Sequence, residues 1–223
     1  MKRIFVFIFS LLILSTIAYG KDRNKKREIL PDTIPMLNDI SVGIDLIRPL
    51  SIVFNDYYSG VEASVDVDLK HRFFPTIELG GGKYDRTKNG MDHKMNGGFG
   101  RIGLNYNIFN NSQALNYGYI GIRYGYGFEN YSYKNGQTFG SYWEDKMPVN
   151  LTQLKSHTHW GEAVVGIRVQ IYKAISMGWS FRYNFRLIQN NSKYAPPYYV
   201  PGFGKNNRTN ATFTYSIYYR FKL

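Results

Sequence analysis

The chain has 223 residues, no cysteine, 17% aromatic residues and a formal net charge of +12. Without cysteine there is no disulfide, no thiolate metal site and no lipid anchor on a cysteine. The basic balance points either to anionic partners or to a merely solvated surface; nucleic acid is not expected, because no nucleic-acid motif accompanies the charge.

In chain order, Lys2 and Arg3 precede a nearly unbroken apolar run from Ile4 to Ile17, and Ala18-Tyr19-Gly20 has the small-x-small form of a cleavage site. Residues 1–20 therefore read as a secretory signal peptide. The alternative is an anchoring helix, but a spanning helix needs roughly 20 apolar residues, more than this run offers. Residues 21–38, charged from Lys21 to Arg27 and interrupted by Pro31 and Pro35, read as a leader on the periplasmic side.

From residue 39 to 223 the pattern is alternation broken by turn chemistry. Eight runs are expected, at about 39–47, 59–69, 73–84, 96–108, 117–130, 160–171, 175–188 and 209–223. Links near 70–72 and 172–174 are tight and 109–116 is moderate. Those at 85–95, 131–159 and 189–208 are long and polar. Short turns at one end, long loops at the other and an even strand count predict an all-β, eight-stranded, antiparallel, up-and-down transmembrane barrel. Both termini would then be periplasmic. With no other segment long and apolar enough for a helix, a closed barrel is the way such a chain satisfies its backbone in lipid.

The last strand is the clearest. Phe213, Tyr215, Ile217, Tyr219, Phe221 and Leu223 alternate with Thr212, Thr214, Ser216, Tyr218, Arg220 and Lys222. Its aromatic face suits the membrane boundary, and a terminal strand of this form is read as the signal for the outer-membrane assembly machinery.

Alternation alone does not separate a membrane barrel from a soluble one. The long runs, the aromatic apolar face and the choice of Arg over Lys on the polar face favour the membrane. That polar face carries Arg101, Arg123, Arg168, Arg182, Arg186 and Arg220. It also carries Asp45, Glu62, Asp66, Asp68, Glu78, Glu129 and Glu162. An eight-stranded barrel has an interior just wide enough for side chains to fill. These residues are therefore expected to form a lumenal ion-pair network that plugs the barrel, with a lining for a polar solute path as the alternative.

Several stretches resemble an uncharacterised family of small outer-membrane proteins of Bacteroidota. They are Ser41–Leu50, Gly60–Ser64, Ile77–Gly80, Tyr119–Gly125, Ser156–Glu162, Tyr199–Phe203 and Thr212–Ile217. The resemblance implies an outer-membrane β-barrel of a Gram-negative bacterium and carries no assigned activity, so no functional residues come with it.

Ser156, His159 and Glu162 are the candidates for catalysis, since a hydroxyl, an imidazole and a carboxylate are the parts of a nucleophilic triad. Their spacing argues against it: His159 and Glu162 have opposite parity on a strand, and no Gly-x-Ser-x-Gly elbow marks the serine. His157 and His159 share a face, and with His93 or Asp92 they would make a metal set without a fixed spacing. No cofactor or metal is expected. The aromatic residues of loops 131–159 and 189–208 would either bind a surface ligand or pack as a lid. The expected function is non-enzymatic: a monomeric, plugged barrel with a structural or surface-interaction role, its partners being outer-membrane lipids, lipopolysaccharide and the assembly machinery. The alternatives are an outer-leaflet lipid-modifying enzyme and a narrow channel or lipid carrier.

Overall fold

Alternating residues build ten strands among the residues described by the structure, a computed structural model covering 35–47, 57–88, 90–109, 116–139, 146–191 and 196–223. They are β1 (Asp39–Asp45), β2 (Tyr58–Val67), β3 (Phe73–Lys88), β4 (Met91–Asn107) and β5 (Tyr117–Phe139). β6 (Lys146–Tyr172), β7 (Ile175–Asn190), β8 (Tyr199–Val200), β9 (Gly204–Lys205) and β10 (Thr209–Lys222) follow. Eight of them close a barrel in the order β1-β10-β7-β6-β5-β4-β3-β2, while β8 and β9 form a separate two-stranded ribbon. Each barrel strand is antiparallel to both neighbours, and β10 closes on β1 from Asp39↔Lys222 to Asp45↔Ser216. The proposed signal peptide and most of the leader lie outside the described residues.

The two faces are inverted relative to a water-soluble protein. Ile122 is 72% exposed, Val61 65% and Leu79 63%, whereas Arg101 and Glu78 are each 2% exposed. Apolar side chains on the outside and charges on the inside are the burial order of a transmembrane barrel, and so large an apolar surface needs a covering.

One end has the tight connections. Lys70 and His71 take left-handed φ angles of 54° and 52° between β2 and β3, and Lys173 one of 41° between β6 and β7. His71 N–H donates to Asp68 Oδ1 at 2.7 Å, which holds the first of these turns.

The other end departs from the sequence expectation. The links at 85–95 and 131–159 are largely strand: β3 runs to Lys88 and β4 starts at Met91 around Gly90, while β5 and β6 form a long ribbon beyond the barrel wall. Alternation there marks paired strands rather than loops, with Tyr84, Met95, Tyr131 and Tyr133 buried on one face. The register slips between Tyr131↔Leu154 and Tyr133↔Leu151, where Gln153 takes a φ of 59°, and again between Tyr133↔Leu151 and Gly136↔Val149.

Candidate functional site: a filled lumen and its lid

The middle of the lumen is a closed set of charges delivered by six strands. Glu62 comes from β2, Glu78 from β3, Arg101 from β4, Arg123 from β5, Glu162 from β6 and Arg182 from β7. Arg101 Nη1 donates to Glu62 Oε1 and to Glu78 Oε2, both at 2.8 Å, and its Nε lies 2.8 Å from Glu162 Oε1. Arg123 Nε donates to Glu78 Oε1 at 2.8 Å. Arg182 Nη1 reaches Glu78 Oε2 at 2.7 Å and Glu62 Oε1 at 3.1 Å.

Glu78 thus meets all three arginines, and three cations balance three carboxylates. Neutral partners complete the set. Arg123 Nη1 donates to Asn105 Oδ1 at 3.1 Å, and Trp160 Nε1–H donates to Glu162 Oε1 at 2.6 Å. Buried charges persist only when paired and hydrogen-bonded in this way. A planar guanidinium with five donors can serve several carboxylates at once, which an ammonium does less well.

A second, smaller unit lies toward the tight-turn end. Arg168 grips Asp66 through both Nη atoms at 2.9 and 2.7 Å, and its guanidinium lies 3.7 Å from the Tyr218 ring centroid. At the rim itself Arg220 Nε lies 3.6 Å from Asp39 Oδ2, and Asp68 pairs with His71 at 2.5 Å. Burial pushes the Asp68 carboxyl up, and the adjacent His71 opposes that shift.

Seven of the residues expected in one network stand outside it: Asp66 and Arg168 form their own pair, and five others belong to neither unit. Asp45 accepts from Ile47 N–H at 3.0 Å and so holds the backbone at the end of β1. Asp68 and Arg220 belong to the tight-turn rim. Arg186 donates to Gln189 Oε1 at 2.8 Å and to Asn206 Oδ1, two amides rather than carboxylates. Glu129 is 2% exposed, and among the described residues no cation reaches either of its carboxylate oxygens. Axial level separates most of them: Glu129 and Arg186 lie farther along their strands toward the long-loop end than the layer where the arginines converge, and Asp68 and Arg220 lie toward the tight-turn end.

The long-loop mouth is closed by the segment after β7. Residues 196–208 turn into the barrel, where Val200 and Phe203 are fully buried beside Trp160 and Phe99. Arg101 Nη2 donates to Gly202 O at 2.8 Å and Asn184 Nδ2 to Phe203 O at 3.2 Å, so the lid is bonded to the charge layer beneath it. Gly202 has a φ of 79°, and a Cβ there would come within 2.6 Å of the Phe99 ring. The Trp160 indole lies across β5 at Gly125, where a Cβ would come within 2.2 Å of it. Above, Tyr84, Met95, Tyr131 and Tyr133 form an apolar cluster against Tyr198 and Tyr199. The lid alternative for the aromatic loop 189–208 is the one seen for its described part. Sequence reasoning passed over Trp160, Asn105 and Gly202 as functional parts; the Pro-Gly-Phe stretch 201–203 was the available signal for an inward turn.

The catalytic candidates are not brought together. Ser156 and Glu162 point into the lumen, whereas His159 is on the outer wall, where its Nδ1 pairs with the Tyr124 hydroxyl at 2.6 Å. His157 pairs likewise with Tyr126 at 2.7 Å. Both histidines lie within β6, not in a loop. His93 packs edge-on against Tyr133, 4.9 Å between centroids, and Asp92 accepts from Thr87 Oγ1 at 2.6 Å, so the candidate metal set is dispersed as well.

The terminal residues Phe213, Tyr215, Ile217, Tyr219 and Phe221 line the outer wall, and Leu223 follows the last strand. Phe213 stacks on Trp179 at 5.7 Å, and Phe221 meets Tyr219 at 4.8 Å.

The fold is that of known outer-membrane barrels. The structure of a major outer membrane protein from Thermus thermophilus superposes with a TM-score of 0.50 at 10% identity, covering 83% of this chain and 99% of that one. Neisserial surface protein A is similar at a TM-score of 0.42 and 11% identity, over 85% of this chain and 98% of that one. No curated protein sequence matches the chain. Across residues 1–223 the sequence matches the model of the family described as a domain of unknown function, DUF6048, and the chain belongs to that family.

Proposed function

We propose that this protein is a non-enzymatic, monomeric barrel of the outer membrane of a Gram-negative bacterium of the Bacteroidota, with a structural or surface-interaction role. In this reading the signal peptide is removed after Gly20 and both ends of the barrel are periplasmic. The assembly machinery recognises the terminal strand, and the long-loop end faces outward among lipopolysaccharide. What supports an outer-membrane location is the inverted burial and the fold shared with an outer-membrane protein.

The single observation that carries the non-conducting reading is the convergence of Arg101, Arg123 and Arg182 on Glu78, capped by the Arg101–Gly202 bond to the lid. A water column through this layer would require parting several ion pairs at once, each desolvated and each costing several kcal/mol to break, on the order of 3–5. The position of His159 on the opposite side of the wall from Ser156 and Glu162 speaks against the lipid-modifying alternative.

The test is conductance of the purified wild-type barrel in planar bilayers. Little or no single-channel current is expected, and steady, large conductance would promote the channel reading instead.

A further inference from the structure

The outer wall has one place where the apolar belt is indented. Register sets three rows of outward residues across neighbouring strands near the long-loop end. The middle row runs Val61, Gly81, Gly98, Phe128, with two glycines between two large side chains. Below it stand Ala63, Leu79, Gly100 and Tyr126, and above it Ser59, Lys83, Asn96 and Asn130, continued on β6 by Lys155.

The glycines leave a shallow notch of about 530 Å³, lined by Val61, Gly81, Phe128, Lys83, Asn96 and Asn130 among others. Its floor is backbone, its side walls are apolar, and its upper edge is polar and cationic. Lys83 and Lys155 are both exposed. Among the described residues neither has a carboxylate at ion-pairing distance, whereas Lys94, one row higher, is held by Asp85 at 3.1 Å.

We infer that this notch seats an acyl chain of a lipid carrying two phosphates, with the phosphates on Lys83 and Lys155. The inference rests on the outer-membrane reading given above. Three features point to this ligand class. A depression in a lipid-facing wall is filled by the covering lipid, since leaving it empty forfeits dispersion contacts on one side. An apolar seat directly below a cationic edge matches the order of an anionic lipid, chain first and headgroup above.

The third feature is spacing. Lys83 and Lys155 stand on strands three spacings apart, up to about 14 Å. That span lets each lysine take one phosphate of a headgroup bearing a phosphate at each end. Asn96 and Asn130 lie between them and supply amide donors to the sugar or ester oxygens of such a headgroup.

The experiment uses the folded, full-length mature barrel in non-ionic detergent and reads bound lipid by native mass spectrometry. The probes are bisphosphorylated lipid A and the same lipid with its phosphates removed. The wild type is expected to retain the bisphosphorylated lipid at least tenfold better. Gly81→Leu fills the notch from a position that lines it; its Cβ would stand 3.1 Å from Gly97 O and 3.8 Å from Gly98 Cα, with no side chain in the way. The double variant Lys83→Gln with Lys155→Gln leaves the notch open and removes the cations, and as an exposed change it is not expected to disturb folding.

Each variant should lose most of the retention, and Lys94→Gln should keep it. Equal retention of the dephosphorylated lipid, wild-type retention by either test variant, or loss in Lys94→Gln would each overturn the inference. If the barrel stays dispersed without detergent, the membrane reading itself fails; if it requires detergent and takes up neither lipid, only the lipid site fails.

Discussion

The charge layer in mid-lumen and the lid-covered mouth fill the same barrel by opposite means. In the layer, Glu62, Glu78 and Glu162 meet Arg101, Arg123 and Arg182 at distances mostly between 2.7 and 3.1 Å. In the mouth, Trp160, Val200, Phe203 and Phe99 pack as an ordinary apolar core, and the inward carboxylate there, Glu129, meets no cation among the described residues. The first region derives its order from complementary charge and is fragile to the loss of any one partner. The second derives it from shape and is fragile to loss of volume. Arg101 joins them, since it serves both Glu162 in the layer and Gly202 O in the lid.

The sharpest way to break the contrast is Glu78→Ala. It strands three desolvated arginines, and a loss of roughly 3–5 kcal/mol is expected, read as a lower midpoint in urea for the barrel refolded in detergent. A smaller loss than that from removing Glu129 would show that the layer is not where the electrostatic stability lies.

Trp160→Ala should cost nearly as much, about 3–5 kcal/mol for a large buried aromatic, and it also leaves Glu162 Oε1 without its indole donor. The distinguishing readout is salt. Denaturation midpoints of Trp160→Ala should respond to ionic strength as the wild type does, because its loss is one of packing.

Gly202→Val forces a branched side chain into a φ of 79° against Phe99, a strain of about 1–3 kcal/mol. The barrel wall should persist while the lid loosens, so limited proteolysis is expected to cut the segment after β7 faster than in wild type, with little change in the global midpoint.

Glu129→Gln should be the mildest of the buried changes. Removing a charge that no cation balances is expected to leave stability within about 1 kcal/mol of wild type, or to raise it. A loss as large as that of Glu78→Ala would reveal a cationic partner for Glu129. His159→Ala, on the outer wall, should change stability by no more than about 0.5 kcal/mol, and no hydrolysis of lipopolysaccharide is expected from either protein.

Parity along each strand sufficed to place Arg101, Arg123, Arg168 and Arg182 on one face with Glu62, Asp66, Glu78 and Glu162, because a residue's side of a strand follows from a period of two and needs no partner. The same reasoning put His159 and Glu162 on opposite faces. The run pattern also gave the eight-strand count and the tight links near 70–72 and 172–174; the second proved to be 173–174, between β6 and β7.

What it could not supply was height. Glu129 alternates like Glu162, yet one lies in a dry mouth without a cation and the other between two arginines, since axial level depends on how eight registers sum around a closed barrel. Nor could composition tell that the polar stretches beyond residue 130 and before residue 160 pair with each other as a ribbon. Each is polar enough for a loop, and only pairing across the hairpin satisfies its backbone as a strand. The inward direction of the turn at Pro201-Gly202-Phe203 was decided by the barrel itself: the stretch signals a turn, but the burial it turns toward is offered by a mouth ringed by Trp160, Phe99 and Tyr133.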